Sequence, residues 1–376
     1  MTRGQCAGLA QHTKRQKRGH HQLVCWAAVL IVCTLVPVPA HGDGGFSHMS
    51  VLPYDPIRAS NVTVTHLHVV WSNHFDAGFD DLSWFMQNCS GNTCTGTPFA
   101  HAVLQNYFDK YIPEAMAKAA AYASRGEKYR WMTQQWVLDL FFDCPRAGIR
   151  AWASDGRGAL LPAPREQRLP PTLLRCPNAS AVAAVRDAVA RGDVFFHAFP
   201  HNPAFGVYDE GEHSLLASGF AAVRRTAAAL GVPAPRSLSL RDVPGLTRAI
   251  LPRLVRENVG FVSLGSGGPP QGHPDIPDLF VWRDAASNAS VLFAHDDGYG
   301  GGTHVAANGH ALYCAWNRDN SGPISDSDAL LARLRAQYPR AVVESSTLDG
   351  FLQAVEAGGA ETMAALPTVA SEIGDT

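Results

Sequence analysis

The chain has 376 residues, 46% of them hydrophobic and 17% charged, which is a folded globular composition long enough for one large domain or two small ones. Its formal net charge of −2 excludes the strong basic field of a nucleic-acid binder.

In chain order, the first feature is a leader. Arg3, Lys14, Arg15, Lys17 and Arg18 precede an uncharged apolar run from Leu23 to Val36, which ends in Pro37-Val38-Pro39-Ala40. A basic flank, a short apolar core and a small-residue ending describe a signal peptide over residues 1–40. The run is shorter than the roughly 20 apolar residues that span a bilayer. Membrane attachment is therefore expected only if this segment stays uncleaved as an anchor. Residues 41–61 read as a polar linker and 62–376 as the folded domain.

A secreted or lumenal location in the secretory pathway fits two further features. Asn61, Asn88, Asn178 and Asn288 each begin an N-glycosylation sequon. Cys89 and Cys94 flank a short SGNT turn, a natural local disulfide in an oxidising compartment, and Cys144 with Cys176 is a second candidate pair. That leaves Cys314 odd, either free or paired with a thiol outside this chain.

Within the domain, strand-like and helix-like segments alternate. Residues 64–71 read as a strand and 100–124 as a helix; 129–134 is a short strand. Residues 179–190 form a helix stopped by Arg191-Gly192, followed by a strand over 194–199 and a helix over 212–230. A strand over 237–240 precedes a helix over 244–258 that starts on Pro244. Short strands follow at 260–264, 279–282 and 291–294, then helices at 325–337 and 348–356 around a strand at 341–343. The stretch from Cys144 to Pro177 reads as a surface insertion, and Gly298 to Gly302 as a flexible loop. Short strands separated by helices predict α/β architecture with a parallel sheet, and about seven of them suit a parallel (β/α) barrel.

In such a barrel, chemistry gathers at the C-terminal ends of the strands. His74 and Asp76, two apart after the first strand, can point to one side of an extended segment and are suitable zinc ligands; a capped strand end is the plainer reading. Asp242 is either the N-cap of the next helix or a carboxylate aimed into the barrel mouth. Asp296 and Asp297 are either a polar turn or a pair that divides general-acid work from hydroxyl binding. His197 and His201 are further possible ligands, although Pro200 between them argues against a helical pair.

Taken in order, VVWSNHFDAGF, ARGDVFFHAFPHNPAFGVYDEGE, RDVPGLTRAILPRLVRENVGFVSLG, SVLFAHDDGY and VVESSTLDGFLQAV resemble the catalytic domain of glycoside hydrolase family 38, the α-mannosidases. The resemblance runs over roughly residues 62–376. It departs where Phe79 replaces the family's tryptophan, where proline follows Asp242 by two positions, and where the family's arginine is missing at Leu264-Gly265. The resemblance implies a zinc-dependent retaining glycosidase acting on a glycan. It makes His74, Asp76 and Asp242 zinc ligands, and Asp242 also the nucleophile. Asp297 becomes the general acid and base, with Phe79 and Asp296 in contact with the sugar. Zinc in that scheme chelates adjacent sugar hydroxyls and acts as a Lewis-acid template. The ending LPTVASEIGDT resembles a segment inside the family's catalytic domain, so a C-terminally truncated barrel is expected. Two other readings stand beside this one: a zinc polysaccharide deacetylase, which would need His197 or His201 as ligands, and a catalytically inactive carbohydrate-binding relic.

Overall fold

The computed structural model describes residues 62–75, 87–90, 93–96, 99–144, 175–205, 213–243, 245–265, 276–296, 298–318 and 320–373. The leader, the linker, Asn61, Asp76, Phe79, Asp297 and most of the insertion after Cys144 lie outside these residues.

The chain opens with β1 (His66–Trp71), then a hairpin of β2 (Gln87–Ser90) and β3 (Thr93–Gly96). α1 (Phe99–Asn106) runs through a π turn at Tyr107–Tyr111 into α2 (Ile112–Ala123), followed by β4 (Trp131–Thr133) and α3 (Gln135–Phe142). Next come α4 (Ala179–Arg191), β5 (Val194–Phe196), α5 (His213–Leu230) and β6 (Ser237–Arg241). A 3-10 turn at Arg248–Ile250 leads into α6 (Leu251–Arg256), and then follow β7 (Phe261–Gly265), β8 (Leu279–Asp284) and β9 (Ala289–Asp296). The last part is β10 (Thr303–Val305), β11 (His310–Ala315), α7 (Ser327–Gln337), β12 (Val342–Ser345), α8 (Leu348–Ala357), α9 (Gly359–Ala364) and β13 (Thr368–Val369).

Two mostly parallel sheets result. The first runs β10-β11-β1-β4-β5, with β12 also paired to β1; the second runs β13-β8-β9-β7-β6. β1 is the hub. β11 lies along one edge, from His66↔His310 to Trp71↔Ala315. The other edge is shared by β12, up to Val69↔Ser345, and β4, at Trp71↔Trp131. Ser345 Oγ ties that edge together by accepting from Trp71 Nε1 and from the Arg130 amide, each at 2.9 Å. A strand paired on both edges between packed layers has no solvent face, and β1 is buried from Leu67 to Trp71. The two sheets meet where the Ala198 amide donates to Ser237 O at 2.8 Å. Among the described residues this is α/β architecture in two parallel-rich sheets, not one closed ring of strands.

Side-chain parity sorts the core. Leu67, Val69, Trp71, Trp131 and Val194 pack outward under α1, α2, α3 and α4. Leu238, Leu240, Val262, Leu264, Phe280 and Phe293 pack outward on the second sheet. Val70, Met132, Phe261, Leu292, Ala294, Leu312 and Cys314 from both sheets share a third cluster with Phe351, Leu352 and Val355 of α8. α8 is pinned at the base of this inner space. Asp349 takes the Arg236 amide at 3.0 Å, and Glu356 takes both Arg236 guanidinium nitrogens at 2.8 and 2.9 Å.

Several helix ends are as read from the sequence. Asn178 caps α4, accepting from the Ala181 amide at 2.8 Å, and Gly192 ends it in the left-handed region at φ 78°. Residues 245–247, expected inside a helix that starts on Pro244, are not helical. Leu246 instead pairs with Ile373 in an isolated antiparallel bridge, and α6 begins at Leu251 with Pro252 in its first turn. β8 and β9 form an antiparallel hairpin where separate βα units were expected. β10 and β11 are strands that the sequence did not show. Cys144 and Cys176 are disulfide-bonded, closing a loop of separation 32. Cys89 and Cys94 face each other across the β2–β3 hairpin, the register a cross-strand disulfide needs, with side chains outside the described residues. Cys314 is buried, with its thiol 3.5 Å from Ser263 Oγ, so it is a core side chain and not an exposed thiol awaiting a partner. Asn178 and Asn288 are exposed, as sequon asparagines must be. No helix of the described residues is long and apolar enough to cross a membrane.

At the base of the inner space, His68 sits between His310 Nδ1, 3.0 Å from its Nε2, and Ser346 Oγ, 2.9 Å from its Nδ1. Burial first, then the neighbouring His310 and His66, lowers its pKa to about 4. The unfolded chain, with His68 near its ordinary value, binds more protons than the folded one between about pH 6.5 and 4. Stability is therefore present above pH 6.5 and lost as pH falls through that window, by up to about 3 kcal/mol from this group. Denaturant titrations of wild type and His68→Leu across pH 4–7 are expected to show a flatter profile in the variant. Separately, replacing Cys144 and Cys176 by serine is expected to cost about 3–4 kcal/mol by loop-closure entropy, measured the same way at pH 7.

Candidate active site

The C-terminal ends of β1, β6, β7 and β9 lie at one end of the inner space, and the sequence places His74, Asp242 and Asp296 there. Each is held by a different device.

His74 follows β1 in a buried coil. The Ser72 amide extends the ladder to Ala315 O at 2.8 Å. Tyr107, delivered by the π turn, takes a hydrogen bond from Asn73 Nδ2 at 2.7 Å and donates to His74 O at 3.3 Å. Such an extra residue in a helix re-aims side chains, and here it aims Tyr107 at the backbone beside His74. Phe75 locks the next position between Tyr107 and Trp136, with ring centroids 5.4 and 5.1 Å away. The His74 ring is buried and stacks on Tyr299 at 5.2 Å, and Tyr299 stacks on Trp316 at 4.2 Å.

Asp242 stands just past β6, exposed, with φ 58°. This left-handed conformation is uncommon outside glycine but tolerated by Asp and Asn. It is not a helix N-cap, because α6 begins nine residues later. Two contacts hold the turn. The Asp242 amide donates to Gly265 O at 2.9 Å. The Asn202 side chain brackets the preceding residue: its Oδ1 accepts from the Arg241 amide at 3.0 Å, and its Nδ2 donates to Arg241 O.

Asp296 ends β9 and is turned inward, 2% exposed. Its Oδ1 lies 3.0 Å from His304 Nε2 and accepts from the Gly302 amide at 3.2 Å; its Oδ2 lies 3.8 Å from Arg241 Nη2. The structure thus puts Asp296 in a buried charge network, where the sequence left open a polar turn or a carboxylate holding sugar hydroxyls. Burial alone would raise its pKa, but the charge and hydrogen bond of His304, then Arg241, hold it below the usual carboxylate value. Burial likewise works against a charge on His304, and Asp296 outweighs it, raising His304 above its ordinary value.

The loop Gly298–Gly302 packs on these strand ends. A Cβ on Gly265 would lie 2.5 Å from Gly298 O and 3.0 Å from the Tyr299 carbonyl carbon; one on Gly300 would lie 2.5 Å from Cys314 O. The glycines are required by close approach, which corrects the reading of a merely flexible loop. Tyr299 thereby connects the two sides of the site, touching Gly265 beside Asp242 and stacking on His74.

His197, after β5, is buried, and its pKa is pushed down to about 3 by burial, then by His201 and Arg241. His201 is lowered by burial as well. Among the described residues no three His, Cys, Asp or Glu side chains converge as metal ligands. Asp76 and Asp297 lie outside those residues. As chemistry, the imidazole of His74 with the carboxylates of Asp76 and Asp242 is a donor set that zinc accepts. Arg241, Asn202, Tyr299 and Trp316 are site residues that sequence reasoning missed. Parity along β6 could have found Arg241, since Ser237, Ser239 and Arg241 share its inner face.

No family model matches the chain, and no curated protein does. Among solved structures, an alpha-mannosidase from Enterococcus faecalis V583 superposes with a TM-score of 0.52 at 13% identity, over 82% of this chain and 31% of that one. The present chain thus spans about a third of that protein's length. At this identity the likeness is one of fold. A 4-alpha-glucanotransferase from Thermococcus litoralis matches at 8% identity over 82% of this chain and 37% of that one, with a TM-score of 0.38, too loose to argue from.

The Asp296–His304 pair makes a pH-dependent contribution to stability. His304, raised, stabilises fully below its unfolded value near 6.5, and the effect fades as pH rises through its folded value. Asp296, lowered, stabilises above its unfolded value near 3.9, and the effect fades as pH falls through its folded value. His304→Ala is therefore expected to cost roughly 3 kcal/mol at pH 5.5, and less at pH 9. Denaturant midpoints at both pH values measure this; an equal loss at both would show that His304 does not change charge between them.

Proposed function

We propose that this chain carries the catalytic barrel of a zinc-dependent retaining glycosidase of α-mannosidase type, acting on a glycan in the secretory pathway. The observation that carries the reading is the placement of His74 and Asp242 at the C-terminal ends of strands in parallel-rich sheets, with Asp242 exposed on a constrained left-handed turn. The fold likeness to an alpha-mannosidase supports it. The Cys144–Cys176 disulfide supports an oxidising compartment. In this reading the two sheets are parts of one (β/α) barrel, joined at the Ala198–Ser237 hydrogen bond.

His74, Asp76 and Asp242 would hold zinc, which when bound supplies a Lewis-acid grip on adjacent sugar hydroxyls. Phe79 offers an aromatic face to the sugar. The Asp242 carboxylate attacks the anomeric carbon as the bond to the leaving oxygen breaks, and Asp297 gives that oxygen its proton. Asp297 then takes a proton from water, which displaces Asp242 and releases the sugar with its configuration retained. The turn that holds Asp242 fixes the nucleophile before substrate arrives, removing orientational freedom that would otherwise slow the attack.

Metal analysis and hydrolysis of aryl α-mannosides test this. His74→Ala and Asp76→Ala are expected to lose zinc; Asp242→Asn is expected to lose both zinc and turnover. Asp297→Asn should keep zinc and slow poor leaving groups most, by roughly 100-fold to 10,000-fold. A zinc-loaded wild type that hydrolyses no α-glycoside would overturn the reading.

A further inference from the structure

Arg241 is the residue before Asp242, and it is 0% exposed. Parity turns it into the inner space, where Arg241, Gly265 and Asp296 are register partners across β6, β7 and β9. Arg241 and Asp296 are thus two strand spacings apart, roughly 10 Å between backbones, with β7 between them. The arginine side chain crosses that gap. Its Nη1 donates to Ser263 O at 2.9 Å and Leu240 O at 2.8 Å; its Nη2 donates to Ser263 Oγ at 2.8 Å and lies 3.8 Å from Asp296 Oδ2.

Gly265 makes the crossing possible, because a Cβ there would lie 3.1 Å from Arg241 Cδ, with backbone pressing from the other side. The far anchor is fixed in turn by His304 and by the Gly302 amide. Arg241 Nε and Asp296 Oδ2 are buried and have no hydrogen-bond partner among the described residues. A buried ion pair with unanswered polar atoms is poor at adding stability, since apolar side chains of equal volume often do better. What it does supply is a fixed relation between two strand ends.

We propose that Arg241 is a positioning residue: by reaching over Gly265 to Asp296 it locks the ends of β6 and β9 together and so sets where Asp242 stands. This rests on the reading of Asp242 as the nucleophile. It gives Asp296 the role of a structural anchor for the reacting carboxylate. Loss of the strut frees the turn at Asp242 without removing any group that touches the sugar, so the chemical step suffers and binding does not.

The test compares wild type with Arg241→Met, which keeps length and apolar packing, and with the milder Arg241→Lys. Amide hydrogen exchange is read at Asp242 and across Leu67–Val70; kcat and KM are read on an aryl α-mannoside, per folded molecule. In Arg241→Met the Asp242 amide is expected to exchange about tenfold faster or more, with the β1 amides unchanged. The same variant is expected to lose about 100-fold in kcat while KM moves less than about threefold, and Arg241→Lys to recover part of that loss. In an Asp296→Asn background, Arg241→Met should add little further, because the two groups form one link. Unchanged Asp242 exchange, or unchanged kcat per folded molecule despite a lowered melting temperature, overturns the proposal. If wild type hydrolyses no glycoside, exchange alone decides: faster exchange at Asp242 keeps the strut while the glycosidase reading falls. If Arg241→Met does not fold, Arg241→Lys is judged by the same exchange criterion.

Discussion

A guanidinium cut off from water must be answered by its neighbours, and the upper half of the inner space is built around that requirement. Arg241 receives two carbonyls, one hydroxyl and one carboxylate from three adjacent strands. The inner faces there carry Ser239 and Ser263, with Asp296 and His304 beyond, while lower down the same space is lined by Phe261, Leu292 and Phe351. The division is economical. Apolar burial at the base holds the sheets and α8 together, contributing about 25 cal/mol per Å² removed from water. Polar burial near the strand ends contributes little net stability but allows few arrangements, because each mispaired group costs a desolvation penalty. Stability and geometry are thus supplied by different layers of one interior.

The opposite wall of the site uses another kind of constraint. His74 is placed by rings and by a hydroxyl: Tyr107 holds its carbonyl, and Tyr299 and Trp316 stack beyond its imidazole. Flat rings in contact restrict the tilt and translation of the imidazole. The Gly298–Gly302 loop serves both walls. Its backbone presses against Gly265, its Gly302 amide donates to Asp296, and its Tyr299 ring lies on His74. A shift in this loop would move both sides of the site together.

Much of the fold was legible because its signals are local. Helix stops such as Gly192 and Gly231 announce themselves by a left-handed residue after an apolar-periodic run, and buried parallel strands read as short continuous apolar runs. β10 and β11 were not legible. Residues 311–316 are a short apolar run, but the alanines and the glycine-rich and polar flanks give little strand signal, and the strand character comes from β1 beside it. The 244–258 helix was drawn too early because Pro244 is a good first-turn residue, whereas pairing of Leu246 with Ile373, distant in sequence, decides the segment. The site was half legible for the same reason. Carboxylates and imidazoles at strand ends show in a sequence; a buried arginine, a glycine that clears its path and an amide clamp at Asn202 acquire meaning only when strands are in register.

One buried cation also governs its neighbours' protonation. Arg241 adds to burial in keeping His197 neutral and, with His304, opposes burial in keeping Asp296 charged. A neutral His197 keeps a lone pair at Nδ1 facing the Phe199 amide, 3.4 Å away, in the chain that runs from β5 towards Asn202. Asn202 in turn brackets the backbone of Arg241. The guanidinium acts on its own strand through Ser263 and Asp296, while burial, the largest cause, keeps the histidine beside the clamp neutral. Replacing it by an apolar side chain removes the first and leaves the second, so the turn that presents Asp242 loses its tie to β9 but keeps the bracket at Asn202.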